Sequence, residues 1–156
     1  MFQHECAALF GNPSTPGWGV KHIARVEPPW KLMMGDIPIH SIKVNSVAAP
    51  SLTAIIGEIW DKCGHDQKQI AKVGMDVFSG DWAIRQARGL RMVSMHAYAL
   101  AVDFNAPKNP LGWSEPRTLF KHDSLPVVVF KAHGWTWGGD WTGRRDAMHF
   151  QFPKVG

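Results

Sequence analysis

Two short segments of the sequence contain side chains of the types that bind a catalytic metal ion. His96 and Asp103 lie in the first segment, and His149 lies in the second. Two neutral imidazoles and one carboxylate form a mixed nitrogen and oxygen donor set that suits Zn²⁺, and they leave a fourth coordination position open for water. The alternative is structural: His96 caps a loop, Asp103 ends a strand and His149 is a hydrogen-bonded core histidine. Residue types alone leave both interpretations open.

The spacing of His96 and Asp103 requires a change of chain direction if both bind one ion. Asp103 follows His96 by seven positions, and an uninterrupted strand would place the two side chains on opposite faces. We therefore expect a bend near residues 97–99.

The sequence around these residues resembles two segments of a known enzyme family. Ser94-x-His96 with Asp103, and Asp146-x-x-His149, are similar to the signature segments of the zinc-dependent VanY-like D-alanyl-D-alanine carboxypeptidases and L-alanyl-D-glutamate endopeptidases. In particular, the chain resembles the single-domain enzymes that bacteriophages use as endolysins. The likeness covers roughly the C-terminal half, including residues 80–89, Asn105, 109–112 and 133–141, with a looser likeness in residues 51–60.

The resemblance implies a role for each of these residues. His96, Asp103 and His149 are expected to bind one zinc ion. Asp146 matches the catalytic carboxylate of the family, which takes a proton from the attacking water and passes it to the leaving amine. A bound zinc can lower the pKa of water from 15.7 towards about 7, so a nearby carboxylate can move the proton at neutral pH. For Asp146 the alternative is a surface aspartate.

The family also has an arginine upstream of the first histidine and a serine just before it. Arg85 and Arg88 both lie where the arginine is expected. We favour Arg85 as the electrostatic helper in catalysis and Arg88 as a substrate-binding residue, because charge-assisted contacts suit a carbonyl oxygen or a carboxylate. Either arginine could instead be a solvated surface charge. Ser94 is expected to hydrogen-bond near the substrate, and no Ser-His-Asp arrangement supports a nucleophilic role.

Ala99 is a departure from the family pattern, which usually has glycine three residues after the first histidine. An alanine adds a Cβ atom where the bend is expected. If the backbone there has a positive φ, the alanine costs about 1 kcal/mol or more of stability.

The family likeness implies a peptidoglycan substrate. We expect an endolysin that hydrolyses the L-alanyl-D-glutamate bond of the stem peptide. The enzyme alternative is a D-alanyl-D-alanine carboxypeptidase, and the alternative from another class is a non-catalytic, zinc-stabilised virion module that binds the wall. An open three-ligand site with Asp146 beside it favours catalysis, because a structural zinc usually has four protein ligands.

Composition sets the broad class of protein. The 156 residues fit one domain over 1–156, and 45% apolar with 19% charged residues excludes a disordered chain. The net charge of +4 favours an anionic partner but does not choose among a nucleic acid, an anionic lipid and an acidic cell wall. Because the basic residues are scattered, we do not expect a dedicated nucleic-acid binder. Cys6 and Cys63 form neither a disulfide framework nor a CxxC motif, which predicts two free thiols. We therefore expect the protein to be made in a reducing compartment.

The N-terminal residues lack the basic and apolar regions of a signal peptide, and no apolar run is long enough to span a bilayer. We therefore expect no membrane insertion. The resemblance to phage endolysins implies a protein that is made in the host cytoplasm and acts on the cell wall after the membrane is breached, and we expect it to be a monomer.

Periodicity predicts the elements that must position the site. Apolar residues at helical spacing predict a helix from Ser51 to Trp60, and alternation predicts strands over 70–78, 99–104 and 148–152. A second, short helix is expected with Asp123-Ser124 as its cap and Pro126 in its first turn. It should continue through residues 127–133 and end at Gly134.

These elements indicate an α+β protein with a small antiparallel sheet flanked by helices. The resemblance implies the fold of the hedgehog and DD-peptidase zinc proteins. Residues 1–45 are rich in turn formers and predict an irregular lead-in, with short extended pieces, that packs on the domain. Trp135, Trp137 and Trp141 are expected to be core and loop residues, and a glycan-stacking surface is the alternative.

Overall fold

The computed structural model describes residues 3–83 and 94–153. The helices are α1 Gln3–Phe10, α2 Trp18–His22, α3 Ala49–Lys62, α4 Gln67–Lys72 and α5 Leu125–Ala132. The strands are β1 Ile23–Val26, β2 Leu32–Met34, β3 Ile37–Ile39, β4 Ile42–Asn45, β5 Phe78–Gly80, β6 Ala101–Phe104, β7 Thr136–Trp137 and β8 His149–Gln151. Short 3₁₀ turns occupy Met95–Tyr98, Ala106–Lys108 and Gly138–Asp140. Among the described helices, none has the length and apolar character needed to cross a bilayer.

The strands of the described part of the chain form three antiparallel sheets. The largest has the order β5-β6-β8-β7, while β1 pairs with β4 and β2 pairs with β3. Helices and antiparallel strands are therefore mixed along the chain, which confirms the expected α+β class.

An aromatic core lies behind the four-stranded sheet. Phe130 on α5 stacks on Phe150 of β8 with ring centroids 4.1 Å apart, and Phe104 of β6 lies 6.5 Å from Phe130. All three side chains are fully buried. Such close-packed rings make the two central strands a rigid support for residues on the opposite face.

The helix predicted from Ser51 is confirmed as α3. Leu52, Ile55, Ile56 and Ile59 are buried along one side of it, as their spacing requires. The predicted helix with Pro126 in its first turn is confirmed as α5. Gly134 lies just beyond its end and has φ +84°. Ser124 precedes α5 but does not cap it, because its Oγ accepts a hydrogen bond from the Lys121 amide.

The strand predicted over 70–78 is wrong for most of its length. The Asp66 side chain accepts a hydrogen bond from the Lys68 amide and begins α4, which contains the buried Ile70. The chain then turns through Gly74 at φ +86°, and extended structure starts only at Phe78. In a short helix followed by a turn, apolar and polar residues can thus alternate as they do in a strand. The capping residue Asp66 was the signal for a helix.

The first 45 residues are more regular than predicted, since they contain α1, α2 and β1 to β4. Several of their side chains are buried in the core: Cys6, Trp18, Val26, Trp30, Leu32, Ile42 and Val44. Cys6 and Cys63 are both free and buried, as expected. Burial raises the pKa of the Cys6 thiol to about 11.

Candidate metal centre

Strands β6 and β8 place Asp103 and His149 side by side. These residues are directly opposite each other in the antiparallel register, and such a pair points to the same face with Cβ atoms about 4.5–5.5 Å apart. His149 Nδ1 lies 3.0 Å from Asp103 Oδ1. Val102 and Phe150, the next pair along the two strands, are buried in the core. Because successive side chains of a strand point to opposite faces of the sheet, the site lies on one face and the core on the other.

A tight turn brings His96 to the same place. The 3₁₀ turn Met95–Tyr98 ends at Ala99, which has φ 56° and ψ 35°. The chain therefore bends within residues 97–99, as expected, and His96 Nε2 lies 3.1 Å from Asp103 Oδ2. One potential ligand atom from each of His96, Asp103 and His149 lies within 4.8 Å of the others, and all three residues are buried.

Ala99 holds a backbone conformation that glycine normally provides. A left-handed alanine is strained by about 1–2 kcal/mol because its Cβ approaches the following carbonyl. Backbone hydrogen bonds on both sides retain it: the Ala99 amide donates to the His96 carbonyl, and the Ala99 carbonyl accepts from the Asn45 amide at 2.8 Å. Surrounding structure thus stabilises the bend despite the missing glycine.

A backbone carbonyl sets the orientation of the His96 ring. His96 Nδ1 lies 2.8 Å from the carbonyl oxygen of Asp81, which can only accept, so Nδ1 carries the proton and Nε2 presents its lone pair. The Asp81 carboxylate in turn accepts a hydrogen bond from the Lys43 amide on β4 at 2.8 Å. Burial raises the pKa of Asp81, and the Lys43 amide opposes that shift.

The residues fit a bound cation. His96 Nε2 is buried and has no hydrogen-bond partner among the described residues, although it lies 3.1 Å from Asp103 Oδ2. In the neutral His96 ring, the lone pair of Nε2 therefore faces a carboxylate oxygen of Asp103, and the two electron-rich atoms repel each other. A cation between the two atoms would remove this repulsion. Two imidazoles and a carboxylate are a donor set that suits zinc.

The pKa values of Asp103 and His149 reflect their contact. Burial would raise the pKa of Asp103, but the hydrogen bond from His149 and the neighbouring His96 ring hold it well below its ordinary value. Burial likewise opposes charge on His149, yet the hydrogen bond and negative charge of Asp103 raise its pKa. The site thus attracts positive charge.

Asp146 lies at the edge of this group. Its Oδ2 is 4.0 Å from His149 Nδ1, farther than the Asp103 oxygen. The Asp146 amide donates to the Gly138 carbonyl, and the Asp146 carbonyl accepts from the His149 amide. A Cβ atom on Gly138 would lie 2.3 Å from the Asp146 carbonyl oxygen. Only glycine at position 138 allows this close approach.

Arg85 and Arg88 lie outside the described residues, so their proposed roles stay predictions. Ser94 is buried beside the site, and its Oγ accepts a hydrogen bond from the His96 amide at 3.2 Å. This contact caps the turn that carries His96, and the expected substrate contact of Ser94 also stays a prediction.

The three tryptophans have different environments. Trp135 and Trp137 are 2% exposed, so they are core residues as expected. Trp141 is half-buried, and its ring lies 5.1 Å from the His149 ring. Trp141 thus forms one wall of the site.

Comparison with known families supports a peptidase. Residues 87–152 match a family model described as D-alanyl-D-alanine carboxypeptidase. The matched range includes all three candidate ligands and Asp146. This match supports the VanY-like zinc metallopeptidase family, which acts on peptidoglycan. No curated protein and no solved structure matches the chain.

Sequence reasoning missed two groups that hold the candidate ligands. One is the carbonyl of Asp81, which no side-chain pattern could reveal because every residue has a carbonyl. The other is Gln151, whose Oε1 lies 2.9 Å from His149 Nε2. A signal for Gln151 was present, since residues i and i+2 of a strand point to one face.

Proposed function

We propose that this protein is a zinc-dependent peptidoglycan peptidase of the phage endolysin type that hydrolyses the L-alanyl-D-glutamate bond of the stem peptide. The observation that carries this proposal is the buried group of His96, Asp103 and His149 with the Asp146 carboxylate at its edge. We further propose that it has the hedgehog and DD-peptidase type of fold, and that it acts as a monomer on the cell wall after membrane breach.

The side chains divide the chemistry of amide hydrolysis. His96 Nε2, His149 Nδ1 and an oxygen of Asp103 would hold Zn²⁺, which when bound supplies Lewis acidity towards water and the scissile carbonyl. Asp146 accepts a proton from the attacking water and returns it to the leaving amine. We propose that Arg85 stabilises the charge that develops on the carbonyl oxygen and that Arg88 and Ser94 bind substrate.

A cavity near Asp146 offers room for more of the stem peptide. It has a volume of about 310 Å³, and Arg145, which precedes Asp146 in the chain, lines it. Gly139, which follows Gly138, lines it as well. Glu115 and His122 also line it and form an ion pair with Nδ1 and Oε2 3.0 Å apart. Its ionisable side chains can form charge-assisted hydrogen bonds with the carboxylates and amines of such a substrate.

The test is digestion of purified peptidoglycan with zinc-loaded protein, followed by mass spectrometry and labelling of free amines. A new free amine on D-glutamate is the expected result. The metal-stripped protein is the control, and it should regain lytic activity when Zn²⁺ is returned. Full activity after metal removal would overturn the zinc-dependent mechanism.

A D-alanyl-D-alanine carboxypeptidase is the second candidate, favoured by the description of the matched family. The same digestion separates the two activities. Release of free D-alanine with the L-alanyl-D-glutamate bond intact would establish the second candidate. No fragments from any wall type would favour a non-catalytic wall-binding module.

A further inference from the structure

We propose that Gln151 is a positioning residue that keeps the proton of His149 on Nε2 and thereby presents Nδ1 to the metal ion. This inference rests on the proposed zinc function and adds a residue that neither the family likeness nor the donor set identifies.

The strand geometry places Gln151 where it can do this. Gln151 follows His149 by two positions in β8, so both side chains point to the site face of the sheet. Its Oε1 lies 2.9 Å from His149 Nε2. On the other side of the ring, Nδ1 lies 3.0 Å from Asp103 Oδ1. The ring is therefore held between an amide and a carboxylate.

Only one of these two contacts can persist when a metal ion binds. A neutral imidazole carries one proton, and the nitrogen without it supplies the lone pair for the metal. Nδ1 faces the carboxylates of Asp103 and Asp146, whereas Nε2 faces the amide of Gln151. The amide oxygen accepts the Nε2 proton, which leaves Nδ1 as the ligand.

The two histidines thus use opposite nitrogens. His96 donates its Nδ1 proton to the Asp81 carbonyl and presents Nε2, while His149 donates from Nε2 to Gln151 and presents Nδ1. Acceptors behind metal-binding histidines fix both the tautomer and the ring orientation. The Asp81 acceptor is backbone and survives mutation of its side chain. The Gln151 acceptor is a side chain, so it can be removed.

Two substitutions at position 151 separate hydrogen bonding from charge. Gln151→Leu removes the acceptor and leaves an apolar side chain that is one atom shorter. Gln151→Glu keeps an acceptor oxygen and adds a negative charge that makes His149 a more basic ligand. Gln69→Leu is the matched control, because Gln69 is exposed on α4, a helix that carries none of the site residues.

The primary measurement is zinc affinity by competition with a chromophoric chelator, with circular dichroism to verify folding. Gln151→Leu is expected to bind zinc about 10–100-fold more weakly than the unmodified protein. Gln151→Glu should match or exceed the unmodified affinity, and Gln69→Leu should not change it. The visible absorption of the Co²⁺-substituted protein should also change in Gln151→Leu alone, because the His149 ring is no longer held.

A second measurement does not depend on whether Gln151→Leu folds. Long-range proton–nitrogen NMR of the zinc-loaded, unmodified protein should show a proton on Nε2 of His149 and on Nδ1 of His96. In Gln151→Glu the Nε2 proton resonance of His149 should move downfield, since a carboxylate is the stronger acceptor.

The possible results separate the role of Gln151 from the proposed zinc function. A proton on Nδ1 of His149, or unchanged zinc affinity and Co²⁺ spectrum in folded Gln151→Leu, would overturn the role of Gln151 while the proposed function stands. Failure of the unmodified protein to bind zinc would overturn both the proposed function and this inference.

Discussion

At the scale of single residues, each candidate ligand is oriented by a neighbour that constrains one of its atoms. Asp81 accepts from His96, Gln151 accepts from His149, and both rings face Asp103. Asp146 differs, because its carboxylate lies farther from His149 Nδ1 than that of Asp103 does. This difference in distance is consistent with the proposed roles of Asp103 as a ligand and Asp146 as the proton carrier.

Replacement of Asp146 by asparagine tests these roles. Asp146→Asn should retain zinc and the fold but lose turnover by about 10²–10⁴-fold, because general acid–base catalysis contributes roughly that factor. His149→Ala should instead lose zinc as well as activity. Metal content by atomic absorption and turnover on purified wall are the measurements. Loss of zinc from Asp146→Asn, with activity proportional to metal content, would show that ligand and base are interchanged.

Ala99 permits a second test at this scale. Ala99→Gly relieves left-handed strain of about 1–2 kcal/mol, whereas Ala101→Gly on β6 relieves none. Both alanines are fully buried, so the lost methyl group and the added chain entropy are matched. In urea unfolding, Ala99→Gly should be the less destabilised variant by about 1–2 kcal/mol. Equal losses would mean that Ala99 is not strained.

At the scale of elements, the 3₁₀ turn Gly138–Asp140 sets the position of the loop that carries Asp146. The Gly138 carbonyl accepts from the Asp146 amide, and the His149 amide donates to the Asp146 carbonyl. One backbone path therefore connects the turn, the proposed base and strand β8. A small displacement of the turn would move the Asp146 carboxylate relative to the candidate metal ligands.

Gly138→Ala tests this connection. The new Cβ atom would meet the Asp146 carbonyl oxygen at 2.3 Å, so the Asp146 backbone must shift, and such misplacement can cost about 10²-fold in rate. Gly57→Ala on α3 is the control, because the added Cβ atom would meet no atom of the described residues outside its own helix backbone within 4 Å. That control should gain about 0.5–1 kcal/mol of stability with unchanged turnover. Unaltered turnover in Gly138→Ala would contradict the proposed connection.

At the scale of the whole molecule, the site makes the metal-free protein sensitive to pH. Asp103 has a lowered pKa, so its contribution to stability is present above its unfolded value of 3.8 and is lost as the pH falls below it. His149 has a raised pKa, so its contribution is complete below 6.5 and is lost as the pH rises through the folded value. The pair therefore stabilises the metal-free fold best between these two values.

The expected result is a falling free energy of unfolding for the metal-free protein as the pH rises from 6.5 to 8. His149→Ala should show a shallower fall over the same range. Added Zn²⁺ should reverse the trend, because binding requires neutral His149 and so strengthens as the pH rises. Chemical denaturation at several pH values measures all three. Equal slopes for the unmodified protein and His149→Ala would contradict the assigned pKa direction.

The sequence by itself determined the helices whose signals are local. The spacing of Leu52, Ile55 and Ile59 predicts α3, and Pro126 with Gly134 predicts the bounds of α5. It also predicted the bend within residues 97–99, which the strand period requires if His96 and Asp103 are to meet. Residue type and spacing left the role of these two residues open, and the resemblance to the peptidase family made them candidate ligands. The alternation of apolar residues over 70–78 did not predict the structure there, because the Asp66 side chain caps a helix that contains Ile70.

Only the tertiary structure decided how these residues are used. The register of β6 and β8 placed Asp103 opposite His149, and register depends on pairing between segments distant in sequence. The same packing brought the Asp81 carbonyl to Nδ1 of His96 and the Gln151 amide to Nε2 of His149. Residue types can predict a histidine ligand, but the nitrogen that it presents depends on which acceptor lies behind the ring, and that is set by three-dimensional contact.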